Sequence, residues 1–371
     1  MRSPTQARAY FLAARRCFST TRITQAVSLQ RDSQDVKQAL SYCSNLVRKY
    51  DAPSYTLSHF IKPYMLPAYF AIRAFNIELA RIPDIVSNPT IGAMRMQFWR
   101  QTIDSTFDQR PPEEPVAVLL ASYLAQGYKL SKTWFHRIIN TRDGKLSHPG
   151  FTDINELESY AEHTYSTLLY LTLSALPMYS ITMDHLASHI GKAAGIAAVL
   201  RGVPLLAFPP PPNSHSANPP GLGLPPSRER QGVIALPLDI MSQCGVREDE
   251  IFRHGGEADG LRDAVFTVAT RASDHLITAR TMVKSVRNDE SPDHEFEHLG
   301  DDSHQYSSPS SDKPRDDFGQ SYGVLMGPAV STQLWLNRLE KVDFDIFHNS
   351  LRSPDWRLPF KAWWHSRQMR L

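Results

Sequence analysis

Residues 91–100 read Ile-Gly-Ala-Met-Arg-Met-Gln-Phe-Trp-Arg, within a run of helical patterning over 90–107 that follows Asn88-Pro89. Further helical runs cover the rest of the chain: 35–49, 68–79, 116–139, 154–176, 185–200, 261–286 and 328–339. No stretch alternates with period two for long enough to form a sheet, and Pro and Gly mark the ends of the runs. The pattern predicts an all-α protein.

Composition excludes several classes of protein. The 371 residues are 42% hydrophobic, which is enough for one large domain or two small ones. A formal net charge of +2 does not favour nucleic-acid binding. Cys17, Cys43 and Cys244 are too few and too scattered for a disulfide framework or a thiolate metal site. The most apolar run, 190–208, contains charged residues and a proline, which favours a buried helix over a membrane span.

The first 28 residues have the composition of a mitochondrial transit peptide. No acidic residue precedes Asp32, and the segment mixes arginines with hydroxyl and aromatic side chains. Its arginines are Arg2, Arg8, Arg15, Arg16 and Arg22. A secretory signal is excluded because Arg15-Arg16 interrupts the apolar centre, whereas a disordered basic tail remains the alternative.

Two segments interrupt the helical pattern and are predicted to be insertions in one domain over 35–365. Residues 209–226 are dense in proline, and 288–320 are rich in Asp, Ser, His and Pro but almost free of aliphatic residues. The second contains His294-Glu295-Phe296-Glu297-His298, which satisfies the zinc-peptidase pattern. That pattern requires a rigid helix, so a solvated loop is the simpler interpretation and no metal site is expected.

Several of these stretches resemble the squalene/phytoene synthase family. The run Met94-Arg95-Met96-Gln97-Phe98-Trp99-Arg100 is similar to an R-x-x-W-W-R helix, and 68–75 is similar to the helix that carries the first aspartate motif. Three further stretches, 157–168, 191–201 and 230–246, follow other family frames. The resemblance implies an isoprenoid-synthase-like helical bundle around a central cavity.

In that family, Mg²⁺ ions bridge aspartates to diphosphate oxygens, and most of those aspartates are missing here. The resemblance places Ala80, Arg81 and Asp84 at the first motif, where Pro83 would kink or end the helix. At the second motif, Gly202 and Leu206 replace both aspartates. Arg201 is retained, where it could pair with a phosphate or, more simply, form a structural salt bridge. We therefore expect no catalytic residue, no cofactor and no metal.

Within the family, the run 91–99 resembles a mitochondrial branch of complex I (NADH:ubiquinone oxidoreductase) assembly factors. This resemblance implies a non-catalytic protein on the matrix side of the inner membrane, with complex I subunits or other assembly factors as partners. Two alternatives remain open: a residual prenyltransferase, and an isoprenoid- or lipid-binding protein. The second arises because Gly195, Ala198, Gly202 and Leu206 could line a roomy apolar cavity wall.

The C-terminal stretch 356–371 combines tryptophans with arginines and lysine, a composition suited to a membrane surface with anionic lipids. The alternative is that Trp356, Phe360 and Trp363 pack against the helical body as a closing turn.

Overall fold

Fourteen α-helices account for most of the computed structural model, which describes residues 34–86, 88–209, 232–288 and 314–369. The helices are α1 34–50, α2 Ala52–Leu57, α3 Leu66–Ile85, α4 Pro89–Phe107, α5 Pro115–Ala125, α6 Lys132–Gly144, α7 Ile154–Ala161, α8 Thr167–Ser174, α9 Ile181–Ala207, α10 Leu238–Gln243, α11 Glu248–His254, α12 Leu261–Arg287, α13 Pro314–Lys341 and α14 Leu358–Gln368. Those four ranges contain no strand, only an isolated bridge between Phe151 and Pro237. The all-α prediction is confirmed.

Polar side chains fix the beginnings of several helices. Asn88 Oδ1 accepts a hydrogen bond from Thr90 N at 2.8 Å, and Pro89 then occupies the first position of α4. Asp153 Oδ1 accepts from Glu156 N at 2.9 Å at the start of α7, while Glu156 Oε2 accepts from Thr152 N at 2.7 Å. The residues at which these two helices begin are therefore determined by the local sequence.

Helix α9 lies at the centre of the bundle and contacts α7, α8, α12 and α13. Within the described ranges it is the one helix long and apolar enough to cross a membrane, but 67% of its most apolar window is buried by the other helices. The buried-helix interpretation of 190–208 agrees with this position, because the apolar side chains of α9 face other parts of the protein on most sides.

Two of the predicted helical runs are divided in the structure. The run 116–139 becomes α5 and α6, because Gly127 adopts a φ of +86°, which ends the first helix. The run 154–176 becomes α7 and α8, joined by a π-helical turn at Glu162–Ser166.

The predicted second insertion ends too late. Residues 314–320, assigned to it from their polar composition, form the first turns of α13. Phe318 and Asp317 are both buried there, so this segment belongs to the packed bundle. The remainder of 288–320 beyond Asn288, including the histidines of the zinc-peptidase pattern, lies outside the described residues. So does the first insertion, 209–226, apart from Pro209.

Candidate functional site

The residues that the resemblance places at the first motif occupy the end of α3. Ala80 and Asp84 are exposed, and the Arg81 guanidinium lies over the Tyr50 ring at 4.1 Å from its centre. Helix α3 continues through Pro83 and ends at Ile85, so the proline does not end the helix before Asp84. Arg81, at the position where the resemblance would place a second carboxylate, is therefore a cation stacked on the Tyr50 ring.

The residues that the resemblance places at the second motif lie in the last two turns of α9. Leu206 is 37% exposed, and a side chain added at Gly202 would meet open space. The Arg201 guanidinium lies 5.5 Å from the centre of the Trp335 ring. The salt bridge expected for Arg201 is not observed, since no carboxylate of the described residues lies within 4 Å of it. Its cation contacts an aromatic face instead.

The donor set at these two motifs does not fit a pair of Mg²⁺ ions. Magnesium needs several oxygen ligands in near-octahedral geometry, and these positions provide a single carboxylate, Asp84. Across the described part of the chain, no group of three or more His, Cys, Asp or Glu side chains has a metal-binding arrangement.

At Gly195, where an apolar cavity wall was expected, α9 is closely packed against neighbouring backbone. A Cβ added at Gly195 would lie 2.5 Å from the Cβ of Ala161 and 2.8 Å from its Cα. A Cβ added at Gly191 would lie 2.3 Å from the Cα of Ser166. At these two points, α9 touches α7 and the π-helical turn, which leaves no space for a ligand beside Gly195. The prediction that Gly195 lines a roomy wall is wrong.

A polar cluster beside α9 joins α7 to α12. Glu158 is buried, and its carboxylate accepts hydrogen bonds from Arg271. His275 Nε2 lies 3.4 Å from Glu158 Oε1, and His275 Nδ1 lies 3.0 Å from His189 Nδ1. Burial raises the pKa of Glu158, but the contacts with His275 and Arg271 outweigh that effect and lower it to about 2. No local motif marks this cluster, because Glu158 and Arg271 are 113 residues apart.

A second buried carboxylate belongs to the π-helical turn. Glu162 accepts from Tyr170 Oη at 2.5 Å and from Ser188 Oγ at 2.8 Å. Burial raises the pKa of Tyr170 well above its ordinary value, and the neighbouring Glu162 adds to the rise. Both clusters tie α9 or α12 to the segment around the turn, which is a structural role.

The C-terminal segment, which consists of α14 and the residues just before it, exposes its aromatic side chains. Trp356 is 76% exposed, and Phe360, Trp363 and Trp364 are also exposed. The buried side chains of this segment are Leu358 and Ala362, through which it rests on the bundle. The alternative to a membrane surface, in which Trp356, Phe360 and Trp363 pack as a closing turn, is therefore wrong.

The model of the squalene/phytoene synthase family matches residues 47–364. The chain belongs to the squalene/phytoene synthase family. The solved structure of a dehydrosqualene synthase has the same fold as this chain, with a TM-score of 0.63 at 13% sequence identity. The match covers 91% of this chain and 99% of the synthase. The expected isoprenoid-synthase-like bundle is confirmed.

Two curated relatives are much more similar in sequence. The Bos taurus protein named "NADH dehydrogenase (ubiquinone) complex I, assembly factor 6" is 35% identical over 89% of this chain and 82% of its own length. The Homo sapiens protein of the same name is 34% identical over 86% of this chain and 79% of its own length.

Proposed function

We propose that this protein is a non-catalytic assembly factor, required for building mitochondrial respiratory complex I, on a fold derived from prenyl-diphosphate synthases. The observation that carries the proposal is the 34–35% identity, over most of both chains, to relatives named complex I assembly factor 6. Its partners are then complex I subunits or other assembly factors.

The side chains at the two motif positions support a role without prenyl-transfer chemistry. Ala80, Arg81, Gly202 and Leu206 stand where the resemblance places metal-binding aspartates. Arg81 and Arg201 both contact aromatic rings, so neither end of the former site concentrates negative charge for a divalent cation. A protein that has lost these ligands can retain the bundle as a scaffold for binding other polypeptides.

The proposed location is the matrix side of the inner mitochondrial membrane. The Arg-rich, acid-poor residues 1–28 support import by a transit peptide. The exposed tryptophans of α14, with exposed Lys361 and Arg367 beside them, support a peripheral contact with anionic lipids.

Affinity purification tests the partner directly. A C-terminally tagged full chain, expressed at low level from an inducible promoter, is purified from solubilised mitochondria and its partners are identified by mass spectrometry. We expect complex I subunits or assembly factors to be enriched over subunits of respiratory complex IV. Equal recovery of both complexes, or of neither, would contradict the proposal.

A further inference from the structure

Helix α4 has apolar side chains on two faces. One face packs into the core through Gly92, Met96, Trp99 and Ile103. On the outer face Ile91, Met94 and Phe98 are 46%, 68% and 48% exposed. Positions i, i+3 and i+7 share one side of a helix, so these three side chains form a continuous apolar stripe. A surface helix needs only one apolar face for its own fold, and the second face is therefore available to a partner.

A cleft of about 290 Å³ adjoins this outer face. It lies between α3, α4 and the start of α5, and Tyr42 of α1 completes its lining. Phe98 belongs to both the stripe and the cleft, and Ile85 adds an apolar side chain that is 46% exposed. This volume is at the lower limit of pockets that hold drug-sized ligands, which suits a side chain better than a small-molecule substrate.

The cleft contains two carboxylates without a cationic partner. Glu78 Oε1 accepts a hydrogen bond from Tyr42 Oη at 3.0 Å, and Glu114 Oε2 accepts from Ala117 N at 2.9 Å. Arg95 also lines the cleft, yet no Lys, Arg or His nitrogen of the described ranges lies within 4 Å of either carboxylate. The negative charge of the cleft is therefore not neutralised by an ion pair within those ranges.

Two groups in the cleft have raised pKa values. Burial raises the pKa of Glu114, and the charge of Glu78 adds to the rise. Burial likewise raises the pKa of Tyr42 to about 12, with Glu78 contributing. In both groups burial is the main cause of the rise, and the charge of Glu78 is a smaller one.

We propose that the cleft and the outer face of α4 bind an amphipathic helical segment of a partner polypeptide. A Lys or Arg side chain of that segment pairs with Glu78 and Glu114, and its apolar side chains cover Met94 and Phe98. That this partner is a complex I component rests on the proposed function; the binding surface itself does not. Anionic lipid is a poor occupant because the carboxylates repel it, in contrast to the basic surface of α14.

Site-specific photo-crosslinking tests this surface in the full chain. A photoreactive amino acid replaces Met94 in a tagged copy, expressed in cells that lack the protein, and mass spectrometry maps the crosslinked segments. We expect adducts with another polypeptide, at a segment that places Lys or Arg within one helical turn of apolar residues. Glu78→Lys in the same chain should lower the adduct yield about tenfold or more, because it replaces an attraction with a repulsion.

Two controls separate binding from misfolding. Ile277 of α12 is also an exposed apolar residue, at 54% against 68% for Met94, and the photoreactive group at that position should not capture the same segment. Glu78→Gln retains an acceptor for Tyr42 while removing the charge, so it should lower the yield with an unchanged melting temperature.

The outcomes are distinct. Adducts with a second copy of this chain, adducts with lipid alone, no adduct at Met94, or a yield unaffected by Glu78→Lys would each overturn the proposal. The same cells are scored for complex I after expression of the unmodified chain. Restored complex I without the Met94 adduct refutes this surface alone, whereas the expected adduct without any effect on complex I refutes the proposed function alone.

Discussion

At the scale of single residues, the proposed loss of the metal-binding aspartates predicts that the chemistry of the family is absent. We expect the purified chain without residues 1–28 to form no squalene-like or phytoene-like product from prenyl diphosphates and Mg²⁺. The reason is that Ala80, Arg81, Gly202 and Leu206 cannot ligate a cation. The measurement is product analysis of a long incubation, with an active family member as the positive control. Metal-dependent turnover that disappears in Asp84→Ala would contradict this expectation.

The buried Glu158 cluster predicts a pH-dependent stability. Because its folded pKa of about 2 lies below the ordinary glutamate value, the carboxylate stabilises the fold above about pH 5, and this contribution is lost as the pH falls from there toward 2. Glu158→Gln should lower the free energy of unfolding by about 2 kcal/mol at pH 7, an estimate reduced because the Arg271 side chain is half exposed. The difference from the unsubstituted protein should fall to less than half of its pH 7 value near pH 3.

Urea denaturation at pH 7 and pH 3 measures this effect. Glu250→Gln is the matched control, because Glu250 pairs only with exposed Arg253 and His254 and should change stability by about 0.5 kcal/mol or less. A Glu158→Gln effect of the same size at both pH values would show that the carboxyl charge is not what stabilises the fold.

At the scale of elements, the close approach of α9 to the π-helical turn depends on glycine. Gly191→Ala should destabilise the protein by about 3 kcal/mol, because the new Cβ would overlap the backbone of Ser166. Gly202→Ala on the same helix should instead stabilise it by about 1 kcal/mol, since nothing lies within 4 Å of the added carbon. Denaturation midpoints compare the two variants, and similar values would contradict the packing of α9 described above.

The exposed side chains of α14 predict binding to anionic membranes. The chain without residues 1–28 should sediment with vesicles that contain cardiolipin, and Lys361→Glu with Arg367→Glu should weaken this binding about tenfold or more. The melting temperature should not change, because both side chains are exposed. The control is Arg48→Glu with Lys129→Glu, which changes two exposed cations elsewhere and gives the same net charge as the α14 variant. Absence of binding, or equal loss in both double variants, would contradict a specific role for α14.

The helices were largely predictable from sequence, and their interruptions were less so. Apolar spacing predicted 90–107, which agrees with α4 within one residue, because a single amphipathic helix carries its own signal. The split at Gly127 depends on one backbone angle, and the start of α13 was hidden by the polar residues around Phe318. Ring contacts of Arg81 and Arg201, like the pairing of Glu158 with Arg271, join helices distant in sequence and leave no local pattern.

At the scale of the whole molecule, the chain presents two surfaces of different chemistry on different helices. Helix α14, which packs on α13 and α2, exposes tryptophans and basic side chains. The cleft beside α4 combines exposed apolar side chains with two carboxylates. A protein that holds a client segment in one place while resting on a membrane in another needs two such surfaces, and neither needs the metal chemistry of the family.

The central claim is that complex I assembly requires this protein. The most direct measurement is the amount of assembled complex I, by native gel and in-gel activity, in cells from which the gene has been deleted. We predict a strong loss of complex I, unchanged amounts of complexes III and IV, and recovery when the full chain is expressed again. Normal complex I in the deleted cells, or an equal loss of all three complexes, would contradict the account.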